Sequence, residues 1–347
     1  MAGFSFLFLL FTASVIYSLF IKDHVTLQVL LRLDSEAHII GRPPYFPSLK
    51  LPFGTDPKGY NMFYKILDGA KITIGFAIAV ALLRSVIAGV IGIVKAFYFK
   101  CSNSEVSRLF DAFRFVPMTL LAYFILQPVA FDWDKYVPVG ILSQEISKSF
   151  GVSGVKFSYG ETVVFEMIIL TVIAIPTVTK VIASETGEIL DREFIEGAKI
   201  IGGGRFHIFW RHVCPHLWPR LLIIYIREVI QVLLVVMHLG LLKVFIGGTI
   251  IKISFQGVSF DTASNEWAGM IGHYFDLLGP VPWVPFAPIF MFMLTILSLN
   301  FIMEGMKQAF TQLTVPQNKP VTVEKHPTSQ QKKMSFDFIR KKERVDS

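Results

Sequence analysis

A histidine-rich segment near the middle of the chain holds the residue types that most readily bind a metal ion. It contains His207, His212, Cys214 and His216. His212 and His216 have the i, i+4 spacing that puts two side chains on one helix face, so a metal site is conceivable. Three consecutive glycines begin at Gly202, but they follow a predicted helix rather than a strand. Since the chain also lacks a Gly-x-x-x-x-Gly-Lys-Ser/Thr sequence, we predict no ATP-binding loop.

Ionisable side chains lie inside several of the long apolar stretches. They are Arg84, Arg227, Glu228 and His238. Such groups are costly in a membrane and usually face an interior cavity or one another. Arg84 and Glu228 fall in the inner halves of two stretches that we expect to run antiparallel, so we predict that they come close. They would form a structural ion pair or line a translocation path, with simple snorkelling of the arginine as the alternative.

The composition is typical of a membrane domain. Hydrophobic residues make up 53% of the 347 residues and charged residues 17%, whereas soluble domains carry about 25% charged residues. The net charge of +7 resides in loops and in the tail, where membrane topology accounts for it, so we predict no nucleic-acid binding. Cys101 and Cys214 lie in segments predicted to be cytoplasmic, where disulfides are rare.

The apolar stretches predict a polytopic protein. Six of them are long enough, at about 20 residues, to cross the hydrocarbon core as helices. They are roughly Phe4–Phe20, Ile72–Phe97, Phe110–Ala130, Val163–Ala183, Leu221–Phe245 and Val284–Met303. Because no basic region precedes the first stretch and no clean small-residue cleavage site follows it, we expect residues 1–20 to form a retained first helix rather than a secretory signal.

Basic residues are concentrated in the loops between spans two and three and between spans four and five, and in the C-terminal tail. The positive-inside rule therefore places these segments and both termini in the cytoplasm, with the chain in the cell membrane. Loop 21–68 is also rich in Lys and Arg, but it is long and balanced by acidic residues, and we predict that it is extracytoplasmic. The tail, residues 311–347, is predicted to be basic and disordered, with contact to anionic lipid as an alternative role.

The cytoplasmic loop 184–219 has an amphipathic helical pattern in its first half. Its apolar positions are Ile189, Phe194, Ile195, Ala198, Ile201 and Phe206. The three glycines then permit a sharp turn, and a second short helix is predicted from Phe206 to about Val213, closed by Pro215 and Pro219. Two short helices at a glycine hinge predict a projection that docks into a groove of a partner protein, and a plain connection between spans is the alternative.

The same loop contains a motif with defined spacing. It runs Glu196-Gly197-Ala198-x-x-x-Gly202 and continues to Arg211-His212-x-x-Pro215. This resembles the EAA loop of binding-protein-dependent ATP-binding-cassette importers, which reads Glu-Ala-Ala, three residues, Gly, nine residues, Ile, any residue, Leu-Pro. Gly197, His212 and Cys214 depart from that pattern, although an Arg-His pair is familiar in the oligopeptide/dipeptide/nickel branch. In that family the loop is the coupling helix, which implies contact with an ATP-hydrolysing subunit rather than a metal site. The residues that inherit this role are Glu196, Gly197, Ala198, Gly202, Arg211, His212 and Pro215.

Other stretches resemble the second permease of that branch, in the same order along the chain. Pro52-Phe53-Gly54-Thr55-Asp56-x-x-Gly59 is similar to its periplasmic entry, where we predict that Thr55 or Asp56 caps a helix begun by Pro57. The family usually has Arg-Asp where this chain has Tyr60-Asn61. Further matches are Asp111 with Pro117, Glu266-Trp267-x-Gly269-Met270, and the stretch from Asn300 to Phe310.

The resemblance implies an all-α polytopic membrane protein with six transmembrane helices and a cytoplasmic coupling helix, its transport domain covering residues 69–310. It implies a permease subunit that is not an enzyme and holds no cofactor, ATP being bound by partner subunits. The implied partners are a homologous permease, two ATP-binding subunits and an extracytoplasmic solute-binding protein. Short peptides are the default substrate, with nickel and other small solutes left open. A secondary transporter or channel without an ATPase, and a membrane enzyme, are the alternatives.

Overall fold

The computed structural model describes residues 2–22, 32–33, 39–98, 117–130, 158–254 and 257–314. The chain divides into two units, Met1–Lys307 and Gln308–Ser347, of which the second is described only as far as Thr314. The helix packing described for this protein is that within the first unit. Cys101, Asp111 and the tail from residue 315 onward lie outside the described residues, so the predictions made for them stay predictions.

Helices account for most of the described chain. They are α1 (Ala2–Ile16, followed by a π turn, Tyr17–Ile21), α2 (Met62–Tyr98), α3 (Met118–Ala130), α4 (Tyr159–Leu190), α5 (Glu193–Ile200), α6 (Arg205–Ile208, followed by a π turn, Phe209–Val213), α7 (Cys214–Leu241), α8 (Trp267–Tyr274, followed by a 3-10 turn, Phe275–Leu277) and α9 (Trp283–Thr314). Two small antiparallel hairpins join them, β1 (Arg32–Leu33) with β2 (Ile39–Gly41), and β3 (Thr249–Ser254) with β4 (Gly257–Thr262). The β3–β4 hairpin, paired from Thr249 opposite Thr262 to Ser254 opposite Gly257, was not predicted from the sequence.

Five helices are long and apolar enough to cross a membrane. They are Gly3–Ile21, Met62–Tyr98, Tyr159–Leu190, Arg205–Leu241 and Trp283–Phe310. These coincide with five of the predicted spans. Of the third, Phe110–Ala130, the first seven residues lie outside the described ranges, and the remainder contains a shorter apolar helix, Met118–Val129. The prediction of an all-α polytopic membrane fold is confirmed.

The second span begins earlier than predicted, at Met62 rather than near residue 72. Asn61 Oδ1 accepts the backbone N–H of Phe63 at 3.0 Å, which is the bond of an N-cap residue. Asp56 instead closes a turn, because its Oδ1 accepts the N–H groups of Lys58 (2.9 Å) and Tyr60 (2.8 Å). The predicted cap at Thr55 or Asp56 is therefore wrong, and the cap lies five residues after Asp56.

The core is organised around α2, which packs against α1, α4 and α7. The short helix α8 is fixed to it by Trp267, which is fully buried and donates its indole Nε1–H to the Ile66 carbonyl at 2.8 Å. α8 also approaches α7 closely at Gly240, where a Cβ would lie 2.4 Å from the carbonyl oxygen of Ala268. A residue without a side chain is needed at this crossing.

Candidate functional site

The loop between the fourth and fifth spans forms a compact knob, which we define as residues 191–213. Two residues separate the end of α4 from the start of α5, and α5 is followed by a left-handed glycine, Gly202, with φ of +91°. The Gly202 N–H donates to the Lys199 carbonyl and the Gly203 N–H to the Ala198 carbonyl, both at 3.0 Å. These two bonds form a Schellman cap, in which the residue at the Gly202 position must adopt a conformation that side chains disfavour. The glycine of the predicted motif thus has a defined structural requirement.

The knob has a buried side and an exposed side, and both are apolar. Its small core is shared with the adjoining ends of α4 and α7 and consists of Ile189, Ile195, Ile208, Val213 and Leu217. The exposed side presents Ile200 (86% exposed), Ile201 (89%), Phe206 (78%) and Trp210 (58%). The predicted single apolar stripe is therefore wrong in detail, since Ile189 and Ile195 point inward whereas Ile201 and Phe206 point outward. Large apolar side chains exposed together indicate an interaction surface.

The second predicted short helix does not end at the prolines. After α6 and its π turn the chain continues as α7 through Pro215 and Pro219 into the fifth span. Pro215 falls in the first turn of α7, where a missing N–H has no helical partner to lose. Pro219 lies inside α7, as membrane helices tolerate. The knob is consequently continuous with a transmembrane helix rather than hinged from it.

The residues of the predicted motif are distributed over the knob. Glu196 is exposed and joins no ion pair among the described residues. Gly197 has open space where a Cβ would be, and Ala198 supplies the carbonyl of the cap. Arg211 and Pro215 are exposed, and His212 is half-buried. Their contact with an ATP-hydrolysing subunit stays a prediction.

The histidines of this segment pack on aromatic rings. The rings of His212 and His216 lie 6.5 and 5.4 Å from that of Phe194, measured between centroids, and the rings of His207 and His212 lie 6.1 Å apart. Within the part of the chain that the structure describes, no group of three His, Cys, Asp or Glu residues could hold a metal ion.

Two contacts fix the knob to α2, and a third joins the adjoining ends of α4 and α7. The Arg205 guanidinium lies 4.8 Å above the Tyr98 ring at the end of α2. The Phe209 ring packs edge-on against Phe97, also on α2, at 6.0 Å. At the start of α7, Arg220 bridges two acidic residues near the end of α4, its Nη1 lying 3.0 Å from Glu188 Oε2 and also contacting Glu185. The knob, α2, α4 and α7 are thereby joined.

The structure places Arg84 and Glu228 together, with Arg84 Nη1 3.5 Å from Glu228 Oε2. Arg84 is completely buried and Glu228 is 5% exposed. Arg84 also donates from Nε (2.9 Å) and Nη2 (2.6 Å) to the carbonyl oxygen of Leu170 on α4. One arginine of α2 thus binds both α4 and α7. The structure thus contains the predicted approach of Arg84 to Glu228, whereas their role in the translocation path stays a prediction. The other two ionisable residues of the predicted spans, Arg227 and His238, are exposed.

Sequence reasoning missed two groups of buried polar residues. In the first, Asp56 Oδ2 accepts hydrogen bonds from Lys65 Nζ (2.7 Å) and the Tyr274 hydroxyl (2.8 Å). Burial, and then the Asp56 carboxylate, raise the pKa of the Tyr274 phenol. The second contains Glu166 and Glu266, which are 4% and 0% exposed. Burial raises the pKa of Glu266 to about 8. Glu166 could have been found from the sequence, because it is an acidic residue inside the fourth predicted span.

Comparison with known proteins agrees with this architecture. Residues 88–314 match the family described as binding-protein-dependent transport system inner membrane component. The chain is similar to a putative peptide permease protein of Brucella abortus (23% identity over 267 residues, 76% of this chain and 74% of the relative). It is also similar to the dipeptide transport system permease protein DppC of Alkalihalophilus pseudofirmus (24% over 270 residues, 76% and 72%) and to the peptide transport system permease protein SapC of Escherichia coli (22% over 256 residues, 74% and 72%). With its apolar helices and this match over most of its length, the chain belongs to the family of inner membrane components of binding-protein-dependent transport systems, the permease subunits of ATP-binding-cassette importers.

Proposed function

We propose that this permease forms half of the translocation pathway of an importer for short peptides, and that its knob is the surface on which an ATP-binding subunit acts. The observation that carries the proposal is the exposed apolar side of the knob, formed by Ile200, Ile201, Phe206 and Trp210. These side chains stand on a packed base that is continuous with α7. An amphipathic helix that presents an apolar side in this way suits a groove on a partner protein.

The partners follow from the family and from the charges of the loops. We infer a homologous permease, two ATP-binding subunits and an extracytoplasmic solute-binding protein, with ATP bound by the partner subunits and no bond chemistry or cofactor in this chain. Peptides are proposed as cargo because relatives over three quarters of the chain are named peptide and dipeptide permeases. Both termini and the knob are proposed to be cytoplasmic, since the basic loops and tail belong on that side.

The proposed mechanism is mechanical. A movement of the ATP-binding subunits displaces the knob, and α4 and α7 transmit the displacement because both run from the knob through the membrane. Arg84 joins these two helices to α2 through buried contacts, so the three helices move as a unit. Packed helices change arrangement by such rigid-body shifts rather than by bending continuously.

Two Gly→Ala substitutions in the same short helix test the docking role. Gly202→Ala puts a side chain at φ of +91° and disrupts the cap, at a cost of about 1–3 kcal/mol. Gly197→Ala adds the same methyl group where nothing lies within 4 Å, and it favours the helix by about 1 kcal/mol. We expect Gly202→Ala to reduce peptide uptake and co-purification of the ATP-binding subunit, Gly202→Asp to reduce them further, and Gly197→Ala to leave both unchanged.

The measurement is uptake of a labelled dipeptide, together with the amount of each variant in the membrane and the amount of ATP-binding subunit that co-purifies. If Gly202→Asp is present in the membrane at the normal level and supports uptake at the wild-type rate, the knob is a plain connection and the proposed docking role is wrong. If the wild-type protein co-purifies with the ATP-binding subunit but takes up no peptide, the docking role holds and the choice of cargo is wrong.

A further inference from the structure

Two acidic side chains are buried at the end of α4 that is remote from the knob. Glu166 lies in the second turn of α4, and Glu266 immediately precedes α8. Between them runs the segment that follows α7, residues 243–248, which we call the strap. Lys243, Gly247 and Gly248 of the strap have positive φ values of 65°, 82° and 103°. The strap therefore makes two sharp turns beside both carboxyl groups.

Both acids contact the backbone of the strap. Glu166 Oε2 accepts the Gly247 N–H at 3.1 Å, while its Oε1 has no hydrogen-bond partner. The N–H groups of Gly269, Ala268 and Ile246 face the Glu266 carboxyl, yet neither of its oxygens makes a hydrogen bond of standard geometry. The two carboxyls adjoin consecutive residues of the strap, Glu166 at Gly247 and Glu266 at Ile246. Three of the four carboxyl oxygens are thus buried without a hydrogen bond.

No cation compensates this charge among the described residues. The ion pairs there do not include Glu166 or Glu266. Among the titratable groups on the neighbouring elements, Tyr159 of α4 lies against Gly247 of the strap, and the others are paired elsewhere, packed on other residues or exposed. On α2, Lys71 pairs with Asp68 at 2.9 Å and Lys65 pairs with Asp56 at 2.7 Å. Lys243 of the strap donates to the Gly272 carbonyl at 2.6 Å and lies near Asp276, while His273 of α8 contacts the Phe260 carbonyl at 2.5 Å and lies near Asp261. His238 of α7 is exposed, and Tyr123 of α3 packs on Phe124.

Glu166 faces a small cavity with apolar walls. The cavity has room for about one water molecule, and its other lining residues are apolar and include Phe76, Leu126, Leu170 and Val236. A metal cation would need roughly six oxygen ligands, and the walls do not supply them. A proton needs no such shell.

We propose that Glu166 and Glu266 form a proton-binding site, in which the pair holds at least one proton while the strap is packed against α4. Two like charges buried near each other in a low-dielectric region are strongly unfavourable, and protonation of one carboxyl removes the repulsion. If the strap moves away from α4, Glu166 loses the Gly247 N–H and gains water, so the proton leaves. Proton binding would therefore accompany closure of this end of the permease, whichever solute is carried.

Infrared spectroscopy of the full-length chain with its co-purifying subunits, reconstituted in lipid, tests the site. A protonated carboxyl has a C=O stretching band separate from those of the amide groups and of carboxylates. We expect this band in the wild-type protein at neutral pH, a decrease as the pH is raised from about 7 to about 10, and its loss in the Glu166→Gln/Glu266→Gln double variant. Glu161→Gln is the matched control, because Glu161 is an exposed residue of the same helix that caps its first turn.

The results that overturn the site are equally specific. Absence of the band from the wild-type protein at neutral pH means that both carboxyls are ionised, and persistence of the full band in the double variant assigns it to other groups. Loss of the wild-type band on adding sodium chloride, but not choline chloride, identifies a sodium site instead. The wild-type measurements are informative even if the double variant does not fold.

Discussion

Replacing Arg84 with methionine is expected to destabilise the folded permease more than any exposed substitution does. In the structure, the Arg84 guanidinium donates twice to the Leu170 carbonyl and lies 3.5 Å from Glu228 Oε2, in a region where Arg84 is completely buried. Methionine keeps much of the volume but removes the charge and all three N–H contacts. The Glu228 carboxylate, 5% exposed, is then left without its partner.

The size of the effect follows from this geometry. Removing one member of a buried ion pair costs about 3–5 kcal/mol, because the remaining charge is neither solvated nor paired. Replacing both members with apolar or neutral groups of similar volume is often neutral, so Glu228→Gln in the Arg84→Met background is expected to restore most of the loss. Arg227→Met is the comparison: Arg227 neighbours Glu228 on α7 and acts on its carboxylate by charge alone, without a hydrogen bond among the described residues, so we expect a smaller loss than for Arg84→Met.

The assay is denaturant-induced unfolding of the full-length chain in mild detergent, followed by helical circular dichroism, for the wild type, both single variants and the double variant. A double-mutant cycle then gives the coupling free energy between Arg84 and Glu228. If Arg84→Met is as stable as the wild type, the buried clamp does not exist in the folded protein. If the two single losses simply add in the double variant, Arg84 and Glu228 do not interact, and only the Leu170 contact remains.

Three further changes test other parts of the fold. Asn61→Ala is expected to lose about 1 kcal/mol of unfolding free energy, because it removes the N-cap of α2. Gly240→Ala is expected to lose about 1–3 kcal/mol, because its Cβ would lie 2.4 Å from the Ala268 carbonyl, whereas Gly305→Ala, with open space, should lose nothing. Burial raises the pKa of Glu266 from 4.5 to about 8, so the folded chain binds its proton more tightly than the unfolded chain. Stability should fall as the pH rises from about 4.5 to about 8, by at most roughly 1.4 kcal/mol per pH unit for this group, and Glu266→Gln should make the fall less steep while Glu166 still contributes.

The sequence was informative wherever one physical effect dominates. Long apolar runs predict spans because the hydrocarbon core admits little else, and five of them are helices of the required length. Gly202 was predictable because a sharp helix end needs a positive φ, and it has one. The approach of Arg84 to Glu228 was predictable because a buried charge needs a partner, and the two spans offer few candidates.

Prediction failed where several local signals competed. Asp56 and Asn61 are both good caps, and only the completed turn shows that Asp56 is engaged with Lys58 and Tyr60 while Asn61 starts α2. Pro215 and Pro219 signal a helix end in water, yet here they lie in one continuous helix, since the first falls in its opening turn and the second in a membrane segment. Ile195 and Ile201 are six residues apart, about 600° around a helix, so they lie about 120° from each other rather than on one face, and one is buried while the other is exposed.

The helix α4 contacts the strap, the Arg84 clamp and the residues beside the knob. Glu166 near its first end contacts the strap, Leu170 accepts the Arg84 clamp one turn later, and Glu188 near its other end pairs with Arg220 beside the knob. At 1.5 Å per residue, the distance from Glu166 to Glu188 along the helix is about 33 Å, roughly the thickness of the hydrocarbon core. Under the proposed mechanism, we expect a displacement of the knob to pass along α4 beyond Pro176 and the Arg84 clamp and to reach the strap. The acid pair lies where this movement would separate α4 from Gly247, so we expect its proposed protonation to change when the knob is displaced.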